Sequence, residues 1–146
     1  MPESKRLLVV VGAAVDEVAE LPHSVRALVD GAEEVFVVAP MLTSRLEWLA
    51  SDVDAAHRAA DERLGVVLEQ LRSEEVAAAG AVGDDSPLTA VEDHVRAFGP
   101  DHVLIALRSR EHRSWQERGL IEDIGQSTNL PITVFEVDAE GRVITR

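Results

Sequence analysis

The sequence predicts an α/β protein built on a doubly wound, five-stranded parallel sheet. Short apolar segments typical of buried strands recur along the 146 residues, and segments with a helical period separate them. Most of the apolar segments are apolar on both faces, as in a parallel sheet covered by helices on both sides. Strands that alternate with helices are joined by right-handed crossovers, and this arrangement predicts a doubly wound sheet.

The predicted strands are short and evenly distributed. They span residues 7–12, 35–39, 76–82, 103–107 and 132–137. Residues 138–141 then have the composition of a hairpin loop that leads into residues 142–146. In that last segment Val143 and Thr145 alternate with the other residues, so we expect an extra C-terminal antiparallel edge strand, in its own subunit or across a dimer.

The first two helices are predicted from different signals, a proline boundary for the first and an apolar period for the second. We expect the first to begin near Pro22, because a proline in a helix interior removes a hydrogen bond and clashes with the preceding turn. The second has the clearest helical period in the chain. Its apolar face is formed by Ala56, Ala60, Leu64, Val67, Leu68 and Leu71.

The last two helices carry recognisable start signals. Ser86 is the expected N-cap of the third, with Pro87 at the first helical position, and this helix ends near Gly99. Ser114 and Glu117 have the spacing of a capping box, so the last helix is expected to begin at Ser114. Strand and helix therefore alternate through one domain, residues 1–146.

Composition excludes several classes of function. The net charge is −13, from 27 acidic and 14 basic residues, and this excess repels a phosphate backbone, so we expect no nucleic-acid partner. Cysteine is absent, which excludes disulfides and thiolate metal sites. The longest apolar run, residues 7–11, is too short to span a membrane. A cytoplasmic protein without a membrane partner is expected.

Several turns resemble those of one known family. After the third strand comes Gly83-Asp84 and then Pro87, similar to the family's Gly-Asp-x-Pro-like turn, while residues 98–101 and 129–132 resemble its segments leading into the fourth and fifth strands. The chain resembles the universal stress protein family over essentially its whole length, and residues before 35 match least. The resemblance implies a Rossmann-like fold and a homodimer formed through the fifth-strand edge.

The nucleotide-binding residues of that family are largely replaced. In ATP-binding members an Asp ends the first strand and a Gly-x2-Gly-x9-Gly-Ser/Thr loop follows the fourth. Here Gly12 stands at the Asp position, followed by Ala13, and the loop positions hold Ala106, Ser109 and Gly119-Leu120. Such glycines let backbone amides approach phosphates. We therefore expect no resident cofactor of the usual kind, with ATP or another phosphate-bearing ligand as the alternative.

An arginine-rich loop follows the fourth strand. Arg110 and Arg113 lie next to Ser109 and Ser114, at the expected N-terminus of the last helix and at the topological switch point of the sheet. Guanidinium groups, hydroxyls and a helix N-terminus attract phosphate or carboxylate, so one interpretation is a pocket for an anionic small molecule. The other is a solvated surface on which these arginines pair with neighbouring glutamates.

The remaining candidates are open to two interpretations each. Gly83 and Asp84 occupy the place where the family's backbone approaches a ribose, but an ordinary tight turn explains them equally well. Trp48 could stack on a base or pack against the sheet or a dimer partner. The histidines have no metal-ligand spacing, and we expect His57 and His94 at the surface of helices.

No Ser, His and Asp set is indicated, so an enzyme is not expected. The sequence favours a non-enzymatic, homodimeric stress-response or regulatory module that does not bind ATP in the usual way. The alternative is a nucleotide- or anion-binding regulator that uses the cleft between the loops after strands 1 and 4.

Overall fold

The structure is a computed structural model that describes residues 6–11, 23–39, 53–83, 87–108, 120–137 and 143–144. In chain order its elements are β1 (Arg6–Val11), α1 (His23–Gly31), β2 (Glu34–Ala39), α2 (Val53–Ser73), β3 (Ala78–Val82), α3 (Pro87–Phe98), β4 (His102–Arg108), α4 (Leu120–Thr128), β5 (Ile132–Val137) and β6 (Val143–Ile144). The predicted capping box at Ser114 and the predicted N-cap Ser86 lie outside the described residues.

The described strands form one sheet in the order β3-β2-β1-β4-β5-β6. The first five are parallel, which confirms the predicted doubly wound α/β fold. From β1 the chain winds outwards to β3, then returns to β4 on the other side of β1. β6 pairs antiparallel with β5 through two residue pairs, Glu136 with Ile144 and Val137 with Val143.

Two apolar layers hold the sheet between its helices. On one face α1 and α2 pack against alternate strand residues, including Val9, Val37 and Leu104. On the other face Val91 of α3 and Ile124 of α4 pack against the intervening strand residues. Because both faces of β1 and β4 are covered, the side chains of residues 7–11 and 103–107 are buried, and this explains the nearly continuous apolar runs in the sequence.

The end of α2 explains why β3 begins later than predicted. Glu75 has φ 64°, in the left-handed region. The Glu75 amide donates to the Arg72 carbonyl at 3.0 Å, and the Val76 amide donates to the Leu71 carbonyl at 3.0 Å. This pair of hydrogen bonds closes the helix as a Schellman motif. Val76 is therefore used in the helix cap, and the strand starts at Ala78 instead of residue 76.

The ends of α2 and α3 allow a matched pair of substitutions. Gly99 follows α3 with φ +66°, and a Cβ there would meet nothing closer than Arg6 Nη1 at 3.8 Å. Since a side chain costs free energy in this conformation, we expect Gly99→Ala to lower the free energy of unfolding by about 1 kcal/mol. Glu75→Gly should raise it by about 0.5–1 kcal/mol. Urea unfolding checks both, and equal signs for the two variants would contradict the assignment.

Arg6 fastens the amino end of the sheet to α3. Its backbone amide donates to Asp101 Oδ2 at 3.2 Å, and its Nη1 donates to the Phe98 carbonyl at 2.9 Å. The guanidinium lies 5.7 Å from the centre of the Phe98 ring. Arg6 therefore satisfies a carbonyl that the end of α3 would otherwise leave to water.

The expectation that His94 lies at the surface is wrong. The ring is half-buried and stacks on Phe36 at 5.2 Å between centroids, and Nδ1 lies 2.7 Å from the Ala90 carbonyl oxygen. Helical periodicity placed His94 in the helix but could not show that Phe36 of β2 faces it. His57 is exposed on α2, as expected.

Candidate functional site

The candidate site lies where β1 and β4 end side by side. Val11, the last residue of β1, pairs with Ala106, and β4 continues through Leu107 and Arg108. The chain leaves these two strands in opposite directions, since β2 lies on one side and β5 on the other. In open α/β sheets this switch point opens a crevice beyond the carboxyl ends of the strands, where ligands bind.

The side chains near the ends of β1, β2 and β4 are apolar and belong to the core. Val11, Ala106 and Leu107 each expose at most 1% of their surface to solvent. Ala39, at the end of neighbouring β2, is fully buried. These side chains offer a ligand neither a hydrogen-bond donor nor an acceptor. Any polar contact at the β1 and β4 ends must therefore come from backbone groups or from the loops that follow the strands.

The structure describes two of the ten predicted site residues. Ala106 lies inside β4, two residues before its end, and its side chain belongs to the core layer beneath α1 and α2. Gly83 directly follows β3, and its amide donates to the Ala39 carbonyl at 2.8 Å. The other predicted positions lie outside the described residues: Gly12, Ala13, Asp84, Ser109, Arg110, Arg113, Ser114 and Gly119. Trp48 lies outside them as well.

Gly83 and Ala106 are not brought together. β2 and β1 lie between β3 and β4, so the two residues are separated by three inter-strand spacings, roughly 14 Å. The Gly83 amide extends the β2–β3 ladder by one bond, as an ordinary strand end does. A ligand that touched both residues would have to extend across the ends of β1 and β2.

One polar residue near the site was missed by sequence reasoning. Glu136 pairs with Leu107 in the β4–β5 ladder, and it is half-buried with one carboxylate oxygen fully enclosed. A carboxylate one strand away from the β4 terminus lowers the electrostatic potential there. The available signal was a lone acidic residue within the apolar run Ile132–Val137.

The described residues contain no cluster of three or more His, Asp or Glu side chains placed to bind a metal ion. None of the described helices combines the length and the apolar content needed to cross a membrane.

His102 lies at the opposite end of β4 from the crevice. Its Nε2 is 2.8 Å from Thr133 Oγ1 on β5, within hydrogen-bond distance. Burial lowers the pKa of His102 below its ordinary value of 6.5, because removing water disfavours the charged ring. The contact joins β4 to β5 at their amino ends and places this histidine outside the candidate site.

This burial predicts a pH dependence of stability. Below pH 6.5 the unfolded chain binds a proton at this histidine more readily than the folded chain does, so the free energy of unfolding falls as the pH drops through that value. We expect His102→Gln to remove this part of the decrease, and His57→Gln, at an exposed position, to retain it. Urea unfolding at several pH values measures both. The same slope in His102→Gln and the wild type would contradict the expectation.

Comparison with known proteins gives matches at the level of structure. No family model matches the chain, and no curated protein matches it. The hypothetical protein MJ0577 superposes with a TM-score of 0.64 at 15% identity, covering 92% of this chain and 97% of that one. A universal stress protein family protein from Arabidopsis thaliana, At3g01520, whose structure has AMP bound, superposes with a TM-score of 0.56 at 12% identity, covering 93% and 94%. At such identities the likeness concerns the fold, and the chain has the fold of the universal stress proteins.

Proposed function

We propose that this chain is a cytoplasmic, non-enzymatic, homodimeric stress-response or regulatory module that acts by binding partners and does not hold ATP in the usual way. The observation that carries the proposal is the apolar, buried end of β1 at the switch point, beside Ala106 and Leu107 of β4. The next residue after β1 is Gly12, where ATP-binding universal stress proteins have an Asp acceptor. An adenine placed here would lose that hydrogen bond, and a polar group left unpaired on binding costs affinity.

The edge of β5 supports the homodimer. The Val103 amide donates to the Pro131 carbonyl at 3.0 Å, so backbone groups of alternate residues from Pro131 onwards face β4. Those of Ile132 and Val134 face away from it, and β6 pairs only at Glu136 and Val137. Among the described strands, Ile132 and Val134 therefore present an unpaired apolar edge, which a second copy can extend.

Light scattering tests this proposal on the unmodified protein. A dimer is expected at micromolar concentration. A monomer under these conditions would contradict the homodimeric module.

A second candidate function is a nucleotide- or anion-binding regulator. It is favoured by the AMP bound to the Arabidopsis protein of the same fold. The sequence also carries Arg108 at the end of β4 and Arg110, Arg113 and Arg118 after it. In this function the loop arginines replace the missing contacts and select a compact anion, since a guanidinium binds phosphate in a bidentate manner.

Titration calorimetry with AMP and with pyrophosphate tests the second candidate. If the loop binds the anion, Arg110→Ala and Arg113→Ala should each weaken binding by about tenfold or more, the loss of a charge-assisted hydrogen bond. Arg96→Ala is the matched control, because Arg96 is exposed on α3 and pairs with Asp93. No binding of either anion, or equal binding in all three variants, would reject the loop as an anion site.

A further inference from the structure

β3 forms the other edge of the sheet and differs from the edge at β5. Among the described strands it pairs only with β2. The Val35 amide donates to the Ala77 carbonyl, and the Gly83 amide donates to the Ala39 carbonyl. The amide and carbonyl groups of successive residues point to opposite sides of a strand. Those of Ala78, Gly80 and Val82 therefore point away from β2, towards the open edge of the sheet.

Within the described residues, β3 itself carries none of the usual protections of an edge strand. Natural edges carry charges, prolines or bulges that prevent another strand from pairing. Residues 76–82 contain neither a charged residue nor a proline, and their register against β2 is continuous. Arg72 Nη2 donates to the Ala78 carbonyl at 3.2 Å and occupies that acceptor. Gly80 and Val82 remain as outward-facing positions of the described edge, next to the exposed Ala79.

Charge decides which kind of strand this edge accepts. α2 packs over β3 and exposes Asp61, Glu62 and Glu69 against two arginines, Arg58 and Arg72, and Glu74 and Glu75 are exposed between the helix and the strand. The surroundings of β3 are therefore acidic on balance, and a second copy would bring the same charges alongside, with a net charge of −13 on each chain. Basic side chains at either end of an added strand would instead be attracted to these carboxylates.

We propose that the β3 edge receives an extended, basic segment of a partner protein, which pairs with Gly80 and Val82 as an added strand. The small side chains of β3 let the incoming backbone approach closely, and main-chain hydrogen bonds supply the contact. This deepens the proposed partner-binding function by naming where the partner pairs. It requires no dimer, because the β5 edge lies at the opposite side of the sheet.

The probe is a synthetic heptapeptide of alternating valine and threonine with an arginine at each end, titrated into the full-length isotope-labelled protein. We expect saturable NMR shifts at the Gly80 and Val82 amides. The same peptide with glutamate at each end should bind at least about tenfold more weakly at low salt, because the acidic surroundings of β3 repel it.

Two variants make the test specific. Ala79→Lys places a charge of the peptide's own sign in the middle of the edge, and because Ala79 is exposed the fold should persist. Binding of the arginine peptide should fall by about tenfold or more, as a charge on an edge strand blocks pairing. Ala97→Lys makes the same substitution at an exposed position of α3, which packs on β1, β2 and α4, and should bind like the wild type.

Four results would overturn the proposal. They are no saturable shift at millimolar peptide, shifts centred on Ile132 and Val134, equal binding of the two peptides, or loss of dimers in Ala79→Lys, which would make β3 a self-association edge. A monomeric wild type that still shows the Gly80 and Val82 shifts would reject the homodimer and leave this proposal standing.

Discussion

Replacing Gly80 by alanine is expected to lower the free energy of unfolding by about 2 kcal/mol, the usual cost of overpacking a core. A Cβ at this position would lie 2.6 Å from Leu64 Cδ1 and 2.6 Å from the Val37 carbonyl oxygen. Leu64 could rotate away, but the Val37 carbonyl belongs to the backbone of β2 and is fixed in the ladder. α2 or β3 must therefore move, and Gly80 is what allows α2 to pack closely on the edge of the sheet.

Gly65, on the helix that packs over Gly80, offers the matched control. It is exposed in the interior of α2, and a Cβ there would meet nothing within 4 Å. Gly65→Ala should raise the free energy of unfolding by about 0.5–1 kcal/mol, because alanine loses less conformational entropy in a helix. Urea unfolding of both variants gives the comparison. Gly80→Ala as stable as the wild type would show that α2 does not pack against β3 as described.

Val134→Lys is expected to convert the proposed dimer into a monomer. Val134 is half-buried on β5 and, among the described strands, its backbone faces the unpaired edge. In a dimer formed there the lysine would be desolvated against the apolar edge of the second copy, and an unpaired buried charge is costly. The dimer dissociation constant should rise by about 100-fold or more, as at an interface hot spot.

Val66→Lys controls for the added charge. Val66 is the exposed large hydrophobic of the described chain, 41% accessible, and it lies on α2, a different element from the β5 edge. Each substitution changes the net charge from −13 to −12. Sedimentation equilibrium should show Val134→Lys as a monomer and Val66→Lys as a dimer. Dimers of equal strength in both variants would place the interface elsewhere.

The parallel sheet could be predicted because burial on both faces leaves a direct trace in the sequence. Val10 and Ile105 lie in central strands covered by helices, and their runs are apolar without alternation. β5 could be placed to the residue, Ile132–Val137, because Pro131 precedes it. The start of β3 was misplaced because the Val76 side chain packs against the core while its amide completes the cap of α2, so this apolar residue precedes the strand.

Contacts between elements could not be predicted. His94 and Phe36 are far apart in sequence, and only the packing of α3 on β2 brings their rings together. The packing of Gly80 beneath Leu64 is likewise invisible without the structure. Helical and strand periods specify which face of an element is apolar, and they do not specify which residue of another element meets it.

The sequence predicted where the candidate site lies in the fold better than it predicted which residues contact a ligand there. Alternation and crossover handedness predict a doubly wound sheet with a switch point, and the observed strand order places the crevice beyond Val11 and Ala106. Spacing assigned Ala106 to a phosphate-binding loop, yet β4 continues to Arg108, so this position is strand and its side chain is core. The contribution of the loops at Gly12 and Arg110 stays a prediction, because these residues lie outside the described chain.

We propose that this chain, which has the fold of the universal stress proteins, lacks the usual ATP site and binds partners at its sheet edges. Titration calorimetry of the purified, nucleotide-free wild type with ATP and magnesium tests it most directly. We predict no saturable heat up to about 1 mM ATP, a limit that corresponds to a binding free energy of about −4 kcal/mol. Saturable binding of one ATP per chain at micromolar concentration would contradict the claim.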